Sequence, residues 1–402
     1  MISSSDRDYW PYQSNIRNVR LVCRLFECLA TPFLVRSVTF GPLSTQLATL
    51  TAISRHPVIS KSISEIVYNC NLYRPTRSLQ EYQKEMLEAH GRNLQRMRHL
   101  AHSQTPKLNC PASGEEYLEL QAAFSLYRLH YDDQTRMEAS GEVMARLCCA
   151  LTRMPNVKKI TLSSTSSCYL GGYGPTSPSK YFMEPVPAYN KAFLHTVRAL
   201  SLTGAQVPEL DMELNVFFDH EYSHLYGGVF QGMSNMDFGH CCDAFRGLRK
   251  VTMTVSPGKM DGWTAGKLAV ILSGATELED LSFYSCSWGF PIQTSWIFGT
   301  TTWHRLTNLG IGHVTLDQEE LLSLLKRHSR TLKDLRLYRI FLTNGAGSWE
   351  SLLEGIKACL SLETILITDP DDLCEEEIYI DPEKLDDYIM GNGPNPLSCE
   401  TP

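Results

Sequence analysis

The chain has 402 residues, 43% of them hydrophobic, with a formal net charge of −7 and a mean hydropathy of −0.20. This composition suits a folded domain. It gives no global electrostatic case for nucleic-acid binding, and no apolar run reaches the roughly 18 residues that span a bilayer. Thirteen cysteines are scattered without a regular C-x-x-C ladder. That pattern predicts reduced, buried thiols and a cytoplasmic or nuclear location, and the opening MISSSDRDYWPYQSN lacks the apolar core of a signal peptide.

Residues 1–14 are polar and predict a flexible arm. Over 15–34, Val19, Val22, Cys23, Phe26, Leu29 and Ala30 recur at helical intervals, with Arg17, Arg20, Arg24 and Glu27 on the opposite face. Pro32 then ends the helix, and Val35-x-x-Val38-x-Phe40 reads as a strand. The same apolar spacing returns as Ile63-x-x-Ile66-x-Tyr68, with Asn71 at the turn that leaves the strand. Three amphipathic helices are expected next, near 78–102, 115–130 and 138–153.

The spacing resumes at Val157-x-x-Ile160-x-Leu162, Val197-x-x-Leu200-x-Leu202 and Leu248-x-x-Val251-x-Met253. Leu278-x-x-Leu281-x-Phe283, Leu306-x-x-Leu309-x-Ile311 and Leu332-x-x-Leu335-x-Leu337 follow, and Leu362-x-x-Ile365-x-Ile367 is the last. Between the copies at 306 and 332, LDQEELLSLLKRHSR clusters Leu321, Leu322, Leu324 and Leu325 on one helical face. No copy can bury its apolar face alone, so nine strands are expected to stack in parallel with helices outside. This is the α/β pattern of a leucine-rich-repeat solenoid with irregular repeats. It is expected over 35–368, with insertions at about 71–156, 163–196 and 203–247. An acidic C-terminal cap and tail would occupy 369–402, where Ile378, Tyr379, Ile380, Leu385 and Ile389 close the open end and the final residues fray.

The run NIRNVRLVCRLFECLATPFLVRSV resembles the second half of an F-box, and with the repeats the chain is similar to fungal F-box-like proteins with leucine-rich repeats. The family's opening L-P-x-E segment and first helix have no counterpart before Asn15, so the F-box is partial. The resemblance implies a non-catalytic receptor that docks on the adaptor subunit of a cullin-RING (SCF-type) ubiquitin ligase and selects a protein target. It places the adaptor contact on Leu21, Val22, Leu25 and Phe26.

Target contacts are expected from strand positions outside the core: Lys333, Asp334, Arg336, Tyr338 and Arg339 around one strand, and Ser282, Tyr284 and Ser285 around another. No cofactor is expected, and neither nucleic acid nor membrane is expected as a partner. A repeat scaffold without a ligase link is one alternative. A second is a zinc-dependent hydrolase, because His220-Glu221-Tyr222-Ser223-His224 has the H-E-x-x-H spacing that sets two imidazoles one helical turn apart around a metal. Phe230 stands where a third histidine would ligate, while His240, Cys241, Cys242 and Asp243 lie downstream. Such a string arises by chance in about one chain of this length in a hundred. Asp219 before it and Gly227-Gly228 after it leave little room for a long helix, so a scaffold is expected rather than an enzyme.

Overall fold

When every strand carries apolar residues on one side only, neighbouring strands must share a core on that side. The computed structural model describes residues 33, 35–73, 75, 78–84, 114–163, 183–184, 186–212, 225–256, 262–285, 292–343, 348–370 and 378–398. The first half of the chain holds β1 (Ser37–Phe40), α1 (Ser44–Arg55), α2 (Ile59–Ser62), β2 (Glu65–Asn69), β3 (Leu72–Tyr73), α3 (Gly114–Ala139) and α4 (Glu142–Arg153). Next come β4 (Lys159–Ser163), β5 (Met183–Glu184), α5 (Val186–Thr203), β6 (Glu209–Met212), β7 (Leu225–Tyr226), α6 (Gly228–Gly232) and α7 (Asn235–Phe245). The second half runs through β8 (Lys250–Ser256), α8 (Gly262–Ser273), β9 (Asp280–Ser285), α9 (Thr294–Phe298), β10 (Asn308–Gly312), β11 (Thr315–Leu316) and α10 (Gln318–Arg327). It ends with β12 (Asp334–Tyr338), β13 (Phe341–Leu342), α11 (Trp349–Cys359), β14 (Thr364–Thr368) and α12 (Pro382–Ile389).

Nine strands form one parallel sheet in the order β1-β2-β4-β6-β8-β9-β10-β12-β14, with β7 added beside β8. Spatial order therefore follows chain order, and successive helices pack on one another in the same sequence. The apolar triplets point into one continuous core: Leu278, Leu281 and Phe283, then Leu306, Leu309 and Ile311, then Leu332, Leu335 and Leu337 are all essentially inaccessible. Each fully buried side chain contributes about 1.5–3 kcal/mol, and the helix side chains Leu321, Leu324, Leu352 and Ile356 share the same core.

A second regularity lies in the backbone. One carbonyl accepts the two consecutive amides that open the next strand: Glu279 O takes Thr307 N and Asn308 N, and Thr307 O takes Lys333 N and Asp334 N. The same double bond recurs at Arg36, Ser64, Pro208, Arg249 and Lys333. Lys158 O receives only Glu209 N, because the residue before it is Pro208, which has no N–H to give. At the other end of the strands, His313, Arg339 and Asp369 each adopt a positive φ of 48–60° and turn the chain out of β10, β12 and β14.

The helices of the second half are strapped to one another by side chains. Glu320 of α10 accepts from Thr294 N (2.7 Å) at the start of α9, and Arg327 donates to Gly299 O (3.0 Å) at its end, each charge matched to the local dipole. Gln318 accepts from Ser348 N (2.9 Å) just before α11. The Trp303 indole donates to Leu272 O in α8 (3.1 Å), while its backbone amide donates to His328 Nε2 (3.1 Å). That bond places the His328 proton on Nδ1, facing Leu324 O at 3.0 Å.

The first half is built differently. β2 pairs directly with β4, Glu65 opposite Lys159 and Asn69 opposite Ser163, so the chain between them leaves and returns without breaking the sheet. Part of the excursion has its own small core of Tyr73, Tyr82, Ala123 and Tyr127. Gln134 of α3 accepts from Tyr73 N (2.8 Å) and donates to Tyr73 O (3.3 Å), imitating a strand partner. Asp133 accepts from Ser44 N (2.8 Å) and so caps α1, whose own N-cap Leu43 has no side chain for the task. Burial opposes the Asp133 carboxylate, but the Ser44 amide and Arg136 hold its pKa below the usual value.

Several expectations are corrected. The copy at Val197, Leu200 and Leu202 belongs to α5, where Leu202 is 64% exposed. Val197 and Leu200, three apart, fit a buried helical face as well as they fit the strand spacing. The strand that takes its place is β6, read as Val207-x-x-Leu210-x-Met212, after Gly204 at φ +65° ends the helix. The expected insertions are smaller than drawn, since α5 occupies 186–203 and β6, α6 and α7 lie within 203–247. The helix expected at 115–130 extends over Gly114–Ala139, and Gly141 at φ +73° separates it from α4. Of the helix expected at 78–102, residues 79–84 are helical and the remainder lies outside the described residues. At the exit of β2 the buried cap is Asn69, whose Oδ1 accepts from Asn71 N at 3.0 Å; Asn71 is the donor rather than the cap. Of the expected cap residues, Ile380 and Leu385 are buried and Ile378 and Ile389 pack against the core, where Tyr388 joins them, but Tyr379 is 79% exposed. The last described residues are held, not frayed: Asn395 is buried and donates to Glu350 O at 3.1 Å.

Candidate interaction surface

On the sheet face turned away from the core, the strand register aligns side chains into rows. The opening row runs Glu65, Lys159, Glu209, Lys250, Asp280, Asn308, Asp334 and Thr364. Two residues along each strand, Thr161, Asp211, Thr252, Ser282, Gly310, Arg336 and Leu366 form a second row. A third contains Thr254, Tyr284, Gly312, Tyr338 and Thr368.

Ion pairs run along these rows. Lys159 lies 2.7 Å from Asp211 and 3.4 Å from Glu209, and Lys250 lies 4.0 Å from Glu209 and 3.4 Å from Asp280. Thr161 donates to Glu65 at 2.7 Å. Burial opposes the Lys159 charge, yet Asp211 first, then Glu209 and Glu65, outweigh it and raise its pKa. Each such half-exposed pair contributes about 0–1 kcal/mol. The rows therefore shape the surface potential far more than they hold the fold.

The target residues expected from sequence separate into two groups. Asp334, Arg336, Tyr338, Ser282 and Tyr284 do share the outer face. Arg336 is 51% exposed, but both arms of its guanidinium engage Asp334 on the same strand (3.0 and 2.6 Å). Tyr284 is only 7% exposed, so it is floor and not a protruding contact. Its ring lies where Gly312 would carry a side chain, since a Cβ there would stand 2.6 Å from Tyr284 Cδ1 and 3.1 Å from Tyr338 Cβ. The two tyrosine rings are 5.8 Å apart. Burial, with Tyr338 alongside, pushes the Tyr284 phenol up to about 12, so it stays neutral and acts through its hydroxyl and ring.

Lys333, Arg339 and Ser285 do not belong to this face. Strand alternation places Ser285 on the core side with Leu281 and Phe283, where it is buried. Lys333 precedes β12 and pairs with Glu363 at 3.5 Å, on a separate lip that also pairs Arg249 with Glu279 at 3.8 Å. Arg339, at the strand exit, donates to Asp369 at 3.0 Å. The residues overlooked were Glu65, Lys159, Glu209, Asp211, Lys250 and Asp280. The signal for most of them was present: the position just before the middle apolar residue of each copy is the opening row.

The other candidates give less. Leu21, Val22, Leu25 and Phe26 lie outside the described residues, as do His220, Glu221 and His224. The downstream residues do not converge. His240 Nδ1 lies 2.9 Å from Ser201 Oγ, Asp243 meets the same hydroxyl at 3.4 Å, and Cys241 is buried against Met233. Because Asp243 meets the serine and not the second imidazole nitrogen, the trio tethers α5 to α7 and forms no proton relay. Among the described residues there is no group of three or more His, Cys, Asp or Glu placed to hold a metal, and no helix long and apolar enough to cross a membrane. Of the six described cysteines, Cys70 and Cys241 are buried and Cys149 is exposed. Compared with known protein families and with curated protein sequences, the chain has no match.

Proposed function

We propose that the chain is a leucine-rich-repeat solenoid acting as a non-catalytic protein-binding receptor, and that it serves as a substrate-recognition subunit of a cullin-RING ubiquitin ligase. The observation that carries the binding role is the outer sheet face, where side chains in register across seven strands present charged groups on six of them, the ion-paired ones keeping between 20% and 51% exposure. The double hydrogen bond repeated at seven strand openings supports the solenoid reading, because it marks equivalent positions through the backbone. The ligase link rests on the resemblance of residues 15–40 to part of an F-box. In this reading the N-terminal helix grips the adaptor through Leu21, Val22, Leu25 and Phe26, and the sheet face selects the target. The receptor supplies proximity and the chemistry belongs to its partners.

Affinity capture of the full chain from its native extract tests the link. Recovery of the adaptor and a cullin is expected, and it should be lost in a Leu25→Asp/Phe26→Asp variant whose circular dichroism is unchanged. Failure to recover either protein with the unaltered chain would remove the ligase assignment and leave the scaffold.

A further inference from the structure

Along the opening row, charge alternates from strand to strand and then misses a step. Neighbouring strands lie about 4.8 Å apart. Carboxylates occupy every second strand, at Glu65, Glu209, Asp280 and Asp334, and so recur at about 9.6 Å. Lys159 fills the first interval and Lys250 the second, where it reaches both flanking carboxylates. The third interval, between Asp280 and Asp334, holds Asn308. Its amide carries no charge. The nearest cation along β12, Arg336, has turned both arms to Asp334, and Lys250 is already shared between Asp280 and Glu209.

Resting on the receptor reading above, we propose that the sheet face docks a protein partner through a lysine or arginine side chain seated over Asn308, between Asp280 and Asp334. The incoming cation would complete the alternation, with the Asn308 amide oxygen as a third acceptor. Gly310, next on that face of β10, adds no side chain of its own. A Cβ there would stand 3.0 Å from Ser282 Oγ and 3.3 Å from the Tyr284 hydroxyl, so two further hydroxyl oxygens line the approach.

The charge distribution of the chain points to the same ligand. Residues 348–402 contain 14 Asp and Glu against Lys357 and Lys384, a net −12, so within the total of −7 residues 1–347 carry +5. The described part of this segment, 348–370 and 378–398, holds eight of those carboxylates and both lysines, and β14 within it lies two strands from the interval at Asn308. Five carboxylates of the outer face (Glu65, Glu209, Asp211, Asp280 and Asp334) also exceed its three cations, Lys159, Lys250 and Arg336. A basic segment is drawn to this end of the sheet, and an anionic one is repelled.

Fluorescence anisotropy with labelled octalysine and octaglutamate, at low and high salt, tests this on the full chain. Octalysine is expected to bind with a salt-sensitive affinity and octaglutamate not to bind. Asn308→Lys, which fills the interval from within, should weaken octalysine about tenfold, as should Asp280→Asn/Asp334→Asn. Neutralising Glu383, Asp386 and Asp387 on α12 should have a much smaller effect. If Asn308→Lys does not fold, the double Asp→Asn variant decides. Absence of octalysine binding, or binding that survives both variants and disappears only with the α12 changes, would overturn the proposal. Competition by millimolar calcium at the same affinity as octalysine would overturn it too, by making the site one for a metal ion. Adaptor capture is independent of all these results. Loss of the peptide site with the adaptor still recovered would leave the receptor reading standing, and the reverse would leave a basic-segment binder with no ligase link.

Discussion

The two halves of the sheet use the same strand and different supports. From β8 onward, strand and helix alternate closely and each helix is fastened by the next, as when α10 holds both ends of α9. Before β8, the chain between β2 and β4 builds a separate aromatic core, in which Gln134 holds Tyr73, and joins the array through α4, whose Val143, Leu147 and Leu151 enter the main core, and through Asp133 on α1. The contrast shows that pairing in the sheet requires only that a strand return in register. What lies between two strands is free to elaborate, provided it satisfies its own polar groups.

The sharpest way to break the contrast is a cavity in the regular half. Leu309→Ala, at a position of about 1% exposure, is expected to cost about 2–5 kcal/mol in denaturant unfolding, because the layers above and below cannot both collapse into the space. Asp133→Ala should cost less, about 1–2 kcal/mol. Its effect should be local, raising amide hydrogen exchange at Ser44 and through α3 while β9 to β14 stay protected.

The array was legible because its code is short and apolar: eight of the nine copies read from sequence place their second and third apolar residues in sheet strands. The ninth failed because Val197 and Leu200 satisfy two periods at once, and only Gly204 distinguishes them. The two-residue strands β3 and β5 carry no periodicity to read. The outer face was half legible. A single strand names Asp334 and Arg336, but the alternation from Glu65 to Asp334 exists only across strands, once the register is known.

A smaller effect comes from acid. Burial lowers the pKa of His195, to about 4, with Arg198 and Lys191 adding to it; burial likewise lowers that of His328. Both are neutral in the folded protein, whereas an unfolded histidine titrates near 6.5. Their contribution is thus complete above about pH 6.5 and declines as pH falls toward the folded value, by at most about 1.4 kcal/mol per pH unit for each group. His195 serves the first half, bonded to Tyr68 at 3.0 Å, and His328 the second. Unfolding measured from pH 7.5 to 4 should therefore show both halves weakening, with a shallower decline in His195→Phe. The smallest expected effect is at the surface. Lys159→Met should change stability by no more than about 1 kcal/mol, since half-exposed ion pairs are screened by water.

Helix beginnings finished by a neighbour's side chain have a consequence for how such a chain can be shortened or recombined. The first amide of α9 is satisfied only with Glu320 present, Ser348 N before α11 loses the nearer of its two acceptors without Gln318, and α1 depends on Asp133 some ninety residues downstream. A cut between two strand–helix units therefore leaves an unpaired amide on one side and a stranded acceptor on the other. Shuffling single units would fail at these seams, and viable breakpoints must carry the cap together with the helix it serves.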